Sequence, residues 1–134
     1  MYFGYGANSQ REMMETITGN KNLVGKPGVL KGFKLCVQRM DQVPDSVFPG
    51  SPAPISPKKI LKESWPDNFE TYMIKPGGET DEVAGTVWEL SPLERELVRD
   101  WELVDFGWYK DMKGKAETLD GQIIDVQTEG FREG

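Results

Sequence analysis

The sequence predicts an α+β fold: a mostly antiparallel, barrel-like sheet with two short helices. Three observations predict it. Short apolar runs recur between turns rich in Gly, Pro and Asn, as strands do. Two segments carry the S-x-x-E signature of a capped helix start, Ser9 with Glu12 and Ser91 with Glu94. Near the end, Asp120-Gly121 separates two strand-like arms, a strong hairpin signal.

Residues 2–8, Tyr-Phe-Gly-Tyr-Gly-Ala-Asn, read as a short strand entering a tight turn. Gly4 and Gly6 permit backbone geometries barred to other residues and let a ligand approach the main chain. Ser9 is the expected cap of the first helix, with Met13, Met14 and Ile17 inward and Gly19-Asn20 as its end. A glycine-bearing turn feeding a helix offers free N–H groups to an anion, although an ordinary strand–helix connection is commoner. Gly4-x-Gly6-x-x-Ser9 is a near miss to a dinucleotide fingerprint, and no second parallel strand and acidic residue follow at the right distance.

Residues 28–40 alternate as one strand, with Val29, Phe33, Leu35 and Val37 facing one way and Gly32 as a bulge. Residues 41–68 hold six of the nine prolines and are expected to form a loop without regular structure: a lid, a binding loop or a disordered segment inside the domain. Phe69 to Ile74 is a strand, Pro76-Gly77-Gly78 a turn, and Glu82 to Leu90 the next strand. Tyr109 to Leu119 and Gln122 to Thr128 make the last hairpin.

The second helix has the clearest start, with Ser91 as cap, Pro92 in the first helical position and Glu94 closing the box. At about 100° per residue, Leu93, Leu97, Trp101 and Val104 share a stripe that Val98 widens. Glu102 lies at the margin of that stripe, near the helix C-terminus. Partial burial and the helix dipole would both raise its pKa, as a general base near neutral pH requires. On spacing alone, a solvated helix-end glutamate is the commoner arrangement.

The 134 residues fit one domain, 1–134, with a single core. No apolar run reaches the length of a membrane span and no signal-peptide pattern opens the chain, so a cytoplasmic location is the default expectation. A net charge of −6 with scattered Lys and Arg argues against nucleic acid and anionic membranes. Without histidine, His-dependent triads, Cys–His dyads and His metal sites are excluded. The single cysteine, Cys36, reads as a buried apolar residue. Proton transfer then falls to Glu, Asp, Tyr or Lys.

Together the two informative stretches resemble the γ-glutamylcyclotransferase-like family. Tyr2-Phe3-Gly4-Tyr5-Gly6-Ala7-Asn8 is similar to its N-terminal Y-F-x-Y-G-S-N turn, and Asp81-Glu82-Val83-Ala84-Gly85-Thr86-Val87-Trp88 to its D-E-V-x-G-x-V-[YW] strand. Glu102, followed by Gly107 and Tyr109, matches its L-D-x-x-E-G…Y segment. The resemblance implies a barrel-like α+β fold with a pocket between turn and helix, and cyclisation of a γ-glutamyl amide to 5-oxoproline with release of the amine. It implies Glu102 as general base and acid, and Tyr2, Phe3, Tyr5, Gly6, Ala7 and Asn8 as the pocket lining. It also implies no metal and no cofactor. The expected partner is a small γ-glutamyl substrate, with no nucleic acid and no membrane; a homodimer stays open. Ala7 stands where the family usually has serine, Arg99 replaces the aspartate before the glutamate, and Leu103 replaces the glycine after it. The last strand, Ile123 to Glu129, lacks the tyrosine many members carry. The alternative is a catalytically silent ligand-binding or interaction domain on the same fold.

Overall fold

The computed structural model describes residues 1–66, 70–104 and 108–131. One strand prediction therefore loses an end, since Phe69 lies outside the described residues, as does Gly107 of the resemblance. Five strands close into a barrel in the order β1 (Tyr2–Gly4), β5 (Glu82–Glu89), β2 (Val24–Lys31), β6 (Tyr109–Thr118) and β7 (Ile123–Phe131). Four seams are antiparallel; the closing one, β1 on β7 at Tyr2 and Gln127, is parallel. The α+β, barrel-like, mostly antiparallel prediction stands.

The stretch read as one strand across Gly32 is two. Gly32 makes a corner (φ +79°), where β2 ends and β3 (Phe33–Arg39) leaves the barrel to pair with β4 (Glu70–Pro76). The Pro76-Gly77-Gly78 segment thus joins β4 to a strand with which it does not pair. In this two-stranded sheet Leu35 and Val37 are exposed and Gln38 is buried, the reverse of the apolar alternation expected, and Cys36 is half-buried. The corner turns the strand about its axis, so a phase counted from Val29 does not carry through it.

Three α-helices are described rather than two: α1 (Arg11–Thr18), α2 (Pro57–Ser64) and α3 (Pro92–Trp101). Helix α2 lies within the proline-rich stretch. Pro57 occupies its first turn, where no N–H is needed, and the Ser56 hydroxyl caps it through the Lys59 amide at 3.3 Å. Prolines there mark a helix start, and the expectation of an irregular loop fails for 57–64. Leu61 anchors the helix in a core with Met40, Val43, Met73, Val104, Trp108 and Tyr109.

The capping box of α3 forms as expected, with Glu94 N–H on the Ser91 hydroxyl and Ser91 N–H on Glu94 Oε1. That of α1 does not. Gly6–Ser9 is a 3-10 turn, Ser9 Oγ donates to the Gly6 carbonyl at 2.7 Å, and Gln10 is the uncapped helix start. Met14 is fully buried, and α1 ends at Gly19 as expected. Helix α3 docks through Val98, which packs with Tyr2, Met14, Leu23 and Trp88. The predicted stripe faces the core only in part: Val98 and Val104 are buried, whereas Leu93 is 72% exposed and Trp101 50%. Seating on Val98 rotates the buried face, bringing Arg95 and Glu102 against the barrel's end.

Candidate functional site

The site begins with β1. Alternation along the strand sends Phe3 into the barrel core with Leu30, Val87 and Val126, and Tyr2 to the other side, beneath α3. Phe3 therefore does not line the pocket, contrary to the expectation from the resemblance. Tyr2, Tyr5, Gly6, Ala7, Asn8 and Glu102 all do. The cavity measures about 750 Å³, within the size range of small-molecule sites.

After Gly4 the chain folds back so closely that a Cβ there would run into the carbonyl of Asn8. The room anticipated for a ligand at Gly4 is filled by the turn itself. Gly6 takes a left-handed conformation (φ +57°) to begin the 3-10 turn, and the ring of Tyr72 lies across it. Strand β5 clamps the far side. Thr86 Oγ1 donates to the Ser9 carbonyl and Trp88 Nε1 to the Asn8 carbonyl, each at 2.9 Å. This explains why the two motifs go together: one supplies the turn, the other the donors that fix it. The Asn8 N–H bonds the Tyr5 carbonyl at 3.1 Å, and the N–H groups of Gly6 and Ala7, first in the 3-10 turn, have no partner within it.

So clamped, Asn8 is buried, and its amide nitrogen donates to the Tyr2 hydroxyl at 3.0 Å and to Glu102 Oε1 at 2.9 Å. Glu102 follows the last residue of α3, its N–H still bonded to the Val98 carbonyl at 3.0 Å. Its pKa is raised to about 8, first by burial and second by the charge of Glu129; the Asn8 bond and Arg95 pull it down. Leu103, where the resembled family has glycine, is held at φ +51°. This conformation costs a branched side chain about 1 kcal/mol. Arg99, the other departure, faces away from the cavity and pairs with Asp111 at 2.9 Å and Glu96 at 3.2 Å.

Sequence reasoning marked Glu129 only as a departure from the resembled family's last strand, not as a site residue, and did not single out Arg95. Glu129 is 2% exposed. Its Oε1 accepts from Arg95 Nη1 at 2.9 Å, and the Tyr2 hydroxyl beside the carboxyl also favours its charged form. Burial raises its pKa to about 7 despite the opposing pull of Arg95. Arg95 also lies over the Tyr2 ring, 5.0 Å from its centroid. The available signal was Glu129 standing in a strand where the family resemblance called for tyrosine. The phenols of Tyr2, Tyr5 and Tyr109 have pKa values raised well above the ordinary one, burial first, and stay neutral. The proline-rich stretch supplies one wall of the cavity through Ile60, Leu61 and Trp65.

No family model matches the sequence, and no curated protein matches it. Solved structures do. Of this chain, 98% superimposes on an uncharacterised protein from Homo sapiens, with TM-score 0.70 and 19% identity, covering 66% of that chain. A structure of γ-glutamyl cyclotransferase matches with the same coverage, TM-score and identity. A protein of Arabidopsis thaliana, determined in solution, matches over 97% of this chain and 60% of its own, with TM-score 0.59 and 14% identity. The chain thus spans 66% or less of the length of these structures, just under two thirds at most. At such identities the likeness concerns the path of the backbone, and in that respect the chain has the γ-glutamylcyclotransferase-like fold.

Proposed function

We propose that the protein is a γ-glutamyl cyclotransferase, converting a γ-glutamyl amide to 5-oxoproline and a free amine with Glu102 as general base and acid. One observation carries this reading: Glu102 stands in an aromatic-walled cavity, fixed by Asn8 of the glycine turn, with its pKa raised to about 8. The α-ammonium of the substrate must lose a proton before its nitrogen can attack. A carboxylate with a raised pKa is basic enough to take that proton and acidic enough to return it.

In this mechanism Glu102 accepts a proton from the α-ammonium, and the freed nitrogen attacks the γ-carbonyl carbon. The new C–N bond closes a five-membered ring as the amide C–N bond breaks. Two protons pass in all from the α-nitrogen to the departing amine, which leaves as an ammonium; no water is consumed. Attack within one molecule makes holding the folded conformer the main source of rate. The Gly6 and Ala7 N–H groups are the donors available to the developing oxyanion or the substrate carboxylate. Ala7 supplies that N–H as a serine would, without the hydroxyl.

The test is 5-oxoproline release from a panel of γ-glutamyl amino acids and amines, with wild type and Glu102→Gln side by side. Turnover lost in the folded variant supports the assignment. A wild type that binds the substrates and forms no product sinks it in favour of a binding protein.

A further inference from the structure

The closed barrel leaves its own strands no free edge, but the β3–β4 sheet outside it keeps one. The Gly77 N–H on the Gly32 carbonyl, at 2.9 Å, sets the phase of the β3–β4 ladder, and an unbroken register carries it along β3. Lys34, Cys36 and Gln38 thus turn their backbone groups to β4, while Phe33, Leu35, Val37 and Arg39 turn theirs away. Three contacts agree. Phe33 faces Pro76, which has no N–H to give. The Arg39 N–H donates to Gln42 Oε1 at 2.9 Å. Opposite Val37 and Leu35, the Tyr72 carbonyl accepts from the Tyr109 hydroxyl at 2.9 Å and the Ile74 carbonyl lies against Gly130. The far edge of β4 is therefore covered, and the edge of β3 is open. Among the described residues, the backbone N–H and C=O groups of Leu35 and Val37 have no partner. The side chains on this face are apolar and half exposed, Leu35 and Val37 at 48% and Tyr72 at 52%.

We propose that this edge pairs with the same edge of a second copy of the chain, antiparallel about a two-fold axis at Cys36. The proposal does not depend on the cyclotransferase reading. In this register Leu35 exchanges both backbone hydrogen bonds with Val37 of the second copy, and Val37 does the same with its Leu35, so the open groups are satisfied. The Leu35 and Val37 side chains then lie side by side across the axis, in rows that Ile74 and Tyr72 extend on either side. Lys34 stands opposite Gln38 and Arg39 opposite Phe33, so no two like charges face each other. Because the far edge of β4 is covered, pairing stops at two copies and does not run on as a fibre. An edge of seven residues makes a small interface, so the dimer comes apart on dilution.

Sedimentation equilibrium of the full chain over a range of concentrations tests this. The mass is expected to rise with concentration from that of one copy toward that of two. Leu35→Lys and Val37→Glu, each alone, weaken the dimer about tenfold or more, with the circular dichroism of the fold unchanged. Combined in one chain they restore it, because each introduced lysine then faces an introduced glutamate of the other copy. Mild oxidation with diamide links the wild-type dimer through Cys36, the sole cysteine, because this register holds the two Cα atoms about 4.5 Å apart. A monomer at every concentration overturns the proposal. A dimer that survives both single substitutions overturns it too, by placing the interface elsewhere.

Discussion

Asn8 and Glu102, 94 positions apart in the chain, are joined by one hydrogen bond of 2.9 Å from the Asn8 amide to Glu102 Oε1. Both N–H donors of that amide are in use, the other on the Tyr2 hydroxyl, and the Asn8 carbonyl is held by Trp88. The acid is thereby tied to the turn that would hold the substrate.

Replacing Asn8 should loosen this tie in a defined direction. The bond favours the charged carboxylate, so Asn8→Ala raises the Glu102 pKa further. Turnover at pH 7 is expected to fall about 10- to 100-fold and to recover in part at higher pH. A pH profile of kcat/KM for the variant checks this; a uniform loss at every pH would assign Asn8 to folding alone.

The wild-type profile follows from the same groups. If Glu102 must be ionised in the free enzyme, kcat/KM rises with pH through the range near 7 to 8 set by Glu102 and Glu129 together. Glu129→Gln removes a negative neighbour and leaves Arg95 nearby, which lowers the Glu102 pKa. The rising limb should move to lower pH by roughly one unit. A limb that stays in place would disconnect the two carboxyls.

Stability carries its own signature. Both carboxyls have folded-state pKa values above their unfolded ones, so their contribution is complete below about pH 4, the unfolded range. It is lost as pH rises toward 7 and 8. Thermal unfolding should show Tm falling by several degrees, about 5 °C, between pH 6 and pH 9. Glu102→Gln should flatten that fall and melt higher than wild type at pH 9.

A structural prediction concerns Gly4. Its Cβ would meet the Asn8 backbone carbonyl, which Trp88 prevents from moving away. Gly4→Ala should cost about 3 kcal/mol or more and displace Asn8 from Glu102. Chemical denaturation and the activity assay read both effects; an unchanged midpoint would show that the turn can give.

Much of this was legible in residue order. Ser91, Pro92 and Glu94 state a helix start through contacts within one turn of chain, and Asp120-Gly121 states a hairpin the same way. Ser9 and Glu12 carry the same signature without its structure, because Thr86 and Trp88 hold the Ser9 and Asn8 carbonyls and keep Gly6–Ser9 in a 3-10 turn. Pro57 was misread for the opposite reason: a proline forbids helix interiors but suits a first turn, and only its neighbours decide which. The stripe of Leu93, Leu97, Trp101 and Val104 was a true periodicity, but the helix seats on Val98 at its edge and on Val104 just past its end, which leaves the other three toward the surface.

The sequence by itself determined the α+β class, most strand limits, the capped α3, the glycine turn and a glutamate at that helix's end. These follow from backbone sterics and from hydrogen bonds between near neighbours. Tertiary structure alone decided that Phe3 enters the barrel while Tyr2 faces the site, that the proline-rich stretch walls the cavity, and that Glu129 with Arg95 shares it. Such facts depend on barrel closure and helix rotation, which bring together residues that no local pattern relates. The pKa of Glu102 belongs with them, because burial and a second carboxylate set it, and both exist only once β7, α3 and the turn have met.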